Sequence, residues 1–114
     1  MWNPLTKKQL ELIPKLYSQE GVPFGMKKVY AKFFIGSFTW YVIEYDPKQD
    51  IFFAFVVSPS TQGMEHGGEF GYVSHKELKS IRVPPGIEVD RDLHMVKPRK
   101  PRLLIELLKE DNVI

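Results

Sequence analysis

Four side chains able to hold a metal or move a proton, Glu88, Asp90, Asp92 and His94, recur at every second position of one extended stretch. Carboxylates beside an imidazole suit a divalent cation. In a strand, alternate residues leave from the same side, and neighbours on that side stand roughly 6.5–7 Å apart at Cα. Two adjacent members can therefore chelate one ion; all four cannot. Arg91 would leave from the opposite face. The plainer reading is a solvated strand face with its Asp or Arg side chains paired into the fold, and the residues favour it.

Other chemistry is thinner. Glu65 and His66 precede Gly67-Gly68, whose backbone could approach an anion. Glu65 and Glu69 oppose phosphate there, and no phosphate-loop or dinucleotide spacing surrounds the pair. Serine, histidine and aspartate are all present, but no nucleophile elbow flanks any serine. No catalytic residue is assigned, and neither a cofactor nor a resident metal is expected. Lys97-Pro98-Arg99-Lys100-Pro101-Arg102 carries four positive charges in six residues. Such a run can contact backbone phosphates; more simply it is a solvated linker.

Lys28, Tyr30, Lys32, Tyr41 and Tyr45 offer a different chemistry. Aromatic rings stack on bases or pack against a partner, and lysines contact phosphate or carboxylate. The glycine-aromatic signature of RNA-reading sheets is missing. These five are the leading binding residues, with Asp90, Arg91, Asp92 and His94 as secondary candidates; the plainer reading, which Ile43, Phe52, Ala54 and Val56 favour, is that a loop or the Leu103–Leu108 helix covers this face.

Three strand-like runs must position that set. Lys28–Ile35, Phe38–Asp46 and Ile51–Ser58 are dense in β-branched and aromatic residues. Gly36-Ser37 suits a tight hairpin turn, and Asp46-Pro47-Lys48-Gln49-Asp50 a longer one. Those turns predict Ile35 opposite Phe38, Phe33 opposite Trp40, Lys32 opposite Tyr41 and Tyr30 opposite Ile43. The second predicts Tyr45 opposite Phe52, Val42 opposite Phe55 and Trp40 opposite Val57. One face then collects Val29, Ala31, Phe33, Ile35, Phe38, Trp40, Val42, Phe53, Phe55 and Val57, with Glu44 at its rim. The other holds the Tyr/Lys set with Phe34, Thr39, Ile43, Phe52, Ala54 and Val56.

Thr6-Lys7-Lys8-Gln9 and Ser74-His75-Lys76-Glu77 have the spacing of capping boxes, and Pro14 must end the first helix. Ser58–Gly68 reads as a long loop, Glu69–Val73 as a fourth strand continuing the meander, and Ile87–Met95 as extended. Leu103, Leu104, Leu107 and Leu108 form an apolar stripe at helical spacing. The expected fold is α+β: an antiparallel sheet of four or five strands with short helices on one face. Residues 1–96 make the single domain, and 97–114 a basic linker with a helix packing on it.

Composition narrows the class. At 114 residues, 26% charged and 43% hydrophobic, the chain suits one globular domain. No run nears the roughly 18 apolar residues of a membrane span, and no leader pattern opens the chain. Zero cysteines exclude disulfides and permit a reducing cytoplasm, the expected compartment. A net charge of +2 does not point to nucleic acid. The charge is polarised: residues 1–35 hold six Lys and two Glu, whereas residues 36–74 hold one Lys against five carboxylates.

The order Lys32-Phe33-Phe34, Thr39-Trp40-Tyr41, Phe52-Phe53, Glu69-Phe70-Gly71-Tyr72-Val73-Ser74 with Glu77-Leu78, then Val89-Asp90-Arg91-Asp92-Leu93-His94 resembles a known family. It is the domain of unknown function 2958, small proteins of bacterial plasmids, phages and integrative elements. Leu12-Ile13-Pro14-Lys15-Leu16-Tyr17 is also similar. The resemblance covers about residues 5–96. It implies a mobile-element accessory setting and carries over no catalytic residue.

The resulting expectation is a non-enzymatic module that binds another protein through the Tyr/Lys face. Two alternatives stay open: a small metal-dependent enzyme using Asp90, Asp92 and His94, and a nucleic-acid binder using the same face with Lys97–Arg102.

Overall fold

A computed structural model describes residues 1–114. The chain opens with α1 (Lys7–Glu11), capped as its spacing requires. Thr6 Oγ1 accepts the Gln9 N–H at 3.1 Å and Gln9 Oε1 accepts the Thr6 N–H at 2.9 Å. Pro14 lies just beyond its end.

Nine short or medium strands follow: β1 (Lys28–Val29), β2 (Ala31–Ile35), β3 (Phe38–Asp46), β4 (Ile51–Val57), β5 (Glu69–Ser74), β6 (Arg82–Val83), β7 (Ile87–Glu88), β8 (Asp90–Arg91) and β9 (Arg102–Leu103). Five form one antiparallel sheet in the order β5-β4-β3-β2-β8. β6 and β7 make a small hairpin, and β1 pairs with β9. Helices α2 (His75–Ser80) and α3 (Leu104–Glu110) complete the chain. This is the expected α+β meander.

The first hairpin has the expected register, with Ile35 opposite Phe38 and Lys32 opposite Tyr41. Gly36 occupies φ +55° in its turn, where a side chain would be strained. The second hairpin starts as expected, with Tyr45 opposite Phe52, and then departs from it. A bulge between Val42 and Glu44 shifts the pairing, so Val42 meets Ala54 and Trp40 meets Val56. One extra residue reverses the facing of everything beyond it. Phe52, Ala54 and Val56 join Trp40 and Val42, while Phe53, Phe55 and Val57 move to the other face.

The core is consequently double. On one face Ala31, Phe33, Trp40, Val42, Tyr45, Phe52 and Ala54 pack with Leu5, Ile13, Leu78 and Val89. On the other Tyr41, Ile43 and Phe55 pack with Val29, Val96, Leu104, Leu107 and Leu108. The helices divide between the faces instead of sharing one, because the leucine stripe of α3 needs an apolar surface and takes the second. Phe38, expected in the core, is exposed at the hairpin tip.

Residues 97–102 are folded rather than a free linker. Lys97 and Lys100 bridge across a tight turn, and Arg102 belongs to β9 and pairs with Glu110. No helix is long and apolar enough to cross a membrane.

Candidate functional site

The Tyr/Lys face does not exist as an open surface. Tyr41 is 1% exposed beneath α3, its hydroxyl donating to Asp111 at 2.6 Å. Burial, the Asp111 hydrogen bond and the Asp111 charge all push its phenol far above the ordinary value. Lys32 Nζ lies 2.8 Å from the same carboxylate. Tyr45 is buried on the opposite face, where its hydroxyl donates to Asp50. Tyr30 packs half-buried against that opposite core too. Lys28 is exposed, and its backbone pairs with Leu103. The bulge and α3 together separate residues that strict alternation would have grouped.

The secondary candidates serve the fold. Asp90 accepts from the amino terminus at 3.3 Å and from Asn3 at 3.0 Å. Arg91 donates to the carbonyls of Asn3 and Pro4. Asp92 Oδ1 accepts the His94 and Met95 N–H groups, both at 2.8 Å, closing a turn that ends the extended stretch. Glu88 pairs with Arg82 at 3.2 Å. No three His, Asp or Glu side chains anywhere come together as a metal-ligand group. Gly67-Gly68 is explained by packing: a Cβ on Gly68 would sit 2.6 Å from Phe55 and from the Val56 carbonyl, and one on Gly67 2.9 Å from Val113.

A different site is built around the bulge. With Ile43 and Glu44 both directed to the α3 face, the Glu44 carboxylate stands where a closed ladder would have placed an apolar side chain. It is 3% exposed and draws residues 15–21 over the sheet. Glu44 Oε1 accepts the Tyr17 N–H at 2.9 Å and Oε2 accepts the Gln19 N–H at 2.7 Å. The Gln19 amide fills the gap the bulge leaves, donating to the Ile43 and Lys28 carbonyls and accepting the Lys28 N–H at 2.7 Å. Every buried side-chain polar atom is satisfied. Tyr17 is held at φ +71°, a conformation uncommon outside glycine and asparagine.

Beneath this overhang lies a cleft of about 260 Å³, lined by Tyr17, Glu20, Lys27, Glu44, Phe53, Phe70 and Tyr72. Phe53 and Phe70 stack at 5.4 Å and 9° to form its floor. Tyr17 and Tyr72 form the mouth, 66% and 54% exposed. The neighbouring Tyr17 phenol is the main cause holding the Tyr72 phenol above its ordinary value. Lys27 Nζ donates to the Gln19 carbonyl and lies 5.7 Å from the Phe70 ring centre.

The cleft opens beside β5, an outer strand of the sheet. β5 is six residues long, pairs only with β4, and no other segment hydrogen-bonds its outer edge. Proline, lysine and bulges, the usual guards of an edge, are absent from it. The opposite edge, β8, is two residues long and its side chains are engaged by Met1, Asn3 and Pro4. Sequence reasoning placed β5 correctly but missed the cleft. The available signal was Glu44 itself, an unpaired carboxylate that strict alternation would have put against Trp40 and Val42.

A family model described as "Protein of unknown function (DUF2958)" matches residues 14–106. The match takes in β9 and the start of α3, beyond the span over which the resemblance was drawn. No curated protein and no solved structure matches the chain.

Proposed function

The chain belongs to the DUF2958 family, and because that membership names no activity, we propose from the geometry that it is a non-enzymatic module binding an extended segment of another protein along β5. The observation carrying this reading is the open, six-residue outer edge of β5 beside an aromatic cleft. In strand addition the main chain supplies affinity and alternate side chains supply selectivity. Phe70 and Tyr72 lie on the cleft side of β5, while Gly71 faces the other way with nothing within 4 Å of where its Cβ would stand. An added strand thus meets aromatic rings on one side and open room on the other. The resemblance to proteins of plasmids, phages and integrative elements suggests an accessory role, and the lack of cysteine fits a cytoplasmic partner.

Selection of displayed linear peptides on the immobilised protein tests the reading. Binders that slow amide exchange across residues 69–74 support it. A selection whose binders protect other segments, or one that yields none, removes it.

A further inference from the structure

The composition of the cleft limits which peptides it can accept. Its walls hold two carboxylates, Glu20 and Glu44, against one ammonium, Lys27. Lys27 is already engaged by the Gln19 carbonyl and the Phe70 ring. Glu44 is turned inward to the Tyr17 and Gln19 N–H groups. Glu20 is exposed, and no cation of the chain pairs with it. Beside it stand the exposed rings of Tyr17 and Tyr72, whose π faces attract cations. Glu69 is the sole charge on β5, and it too is negative.

We propose that the peptide residue lying over Tyr17 and Tyr72 is an arginine, so that the β5 edge selects basic extended segments and rejects acidic ones. The inference rests on the strand-addition reading above. A planar guanidinium stacks on a ring and forks to a carboxylate at once, which a compact ammonium does not do as well. With Lys27 counted, one such cation brings the cleft to neutrality. An acidic residue in its place faces Glu20 and Glu44 with only Lys27 to offset them.

The test uses three capped seven-residue peptides, threonine and valine alternating around a central arginine, citrulline or glutamate. Citrulline keeps the shape and planarity of arginine without its charge. The arginine peptide is expected to bind about tenfold more tightly than the citrulline peptide, with glutamate weakest. Glu20→Gln should erase most of the arginine advantage and leave citrulline binding unchanged. Amide exchange across residues 69–74 is followed for each peptide. Equal binding of arginine and citrulline peptides, with β5 protected by both, overturns the arginine inference and leaves strand addition standing. Binding without β5 protection, or no binding by any peptide, overturns both.

Discussion

Glu44 and Gln19 are tied to each other across the bulge in β3: the Glu44 carboxylate accepts the Gln19 N–H at 2.7 Å, while the Gln19 amide caps the Ile43 carbonyl at 3.0 Å. The bulge turns a carboxylate out of one core, and the loop it captures supplies the side chain that mends the broken ladder. The cleft follows from that exchange, since the captured loop is its roof.

Removing either partner should therefore cost more than a surface change. Gln19→Ala strands the Ile43 and Lys28 carbonyls and the Lys28 N–H, and Glu44→Gln presents an amide donor to backbone donors. Each is expected to lower stability by about 1–3 kcal/mol, measured by urea unfolding. A double variant that loses no more than the worse single one would show that the two act as a unit.

Tyr17 separates stability from binding. Its φ of +71° suits glycine, and its ring is largely exposed, so Tyr17→Gly should change stability by no more than about 1 kcal/mol. Peptide binding should fall at least several-fold because one wall of the cleft is gone. Unfolding curves and peptide titration on the same variant read both quantities.

Asp111 fastens α3 over the sheet through Tyr41 and Lys32. Asp111→Ala is expected to cost about 1–3 kcal/mol. The Tyr41 phenol titrates well above its ordinary value of 10.0 when folded, so the native state holds its proton longer than the unfolded chain. That contribution is whole below pH 10 and is lost as pH rises beyond it. Tyr41→Phe should flatten the alkaline decline of stability, read as unfolding midpoints between neutral pH and strongly alkaline pH.

Gly68→Ala should destabilise by about 1–3 kcal/mol through overpacking against the Phe55 ring and the Val56 carbonyl. Gly71→Ala, with open space at its Cβ, should cost far less. Thermal unfolding of the pair tests whether the loop ahead of β5 is packed.

Local signals in the chain carried most of the architecture. Thr6 with Gln9, Ser74 with Glu77, and Gly36-Ser37 each declare a cap or turn from within a few residues; the first and third form as read, while Ser74 caps α2 through the Glu77 N–H without the reciprocal half of the box. The bulge is another matter. Val42-Ile43-Glu44 looks like ordinary strand, and only the burial of Glu44 against a loop distant in sequence makes the extra residue favourable. The destination of α3 was equally hidden: its leucine stripe demands an apolar surface but does not name which face supplies it. One misplaced residue and one unassigned helix sufficed to turn buried Tyr41 and half-buried Lys32 into an apparent docking surface.

Amide exchange across β5, with and without a selected peptide, tests the central claim most directly. Outward-facing amides of Glu69–Ser74 should exchange quickly in the free protein and slow markedly in the complex, while α3 stays unchanged. A tightly bound peptide that leaves those amides exchanging as before would contradict the account.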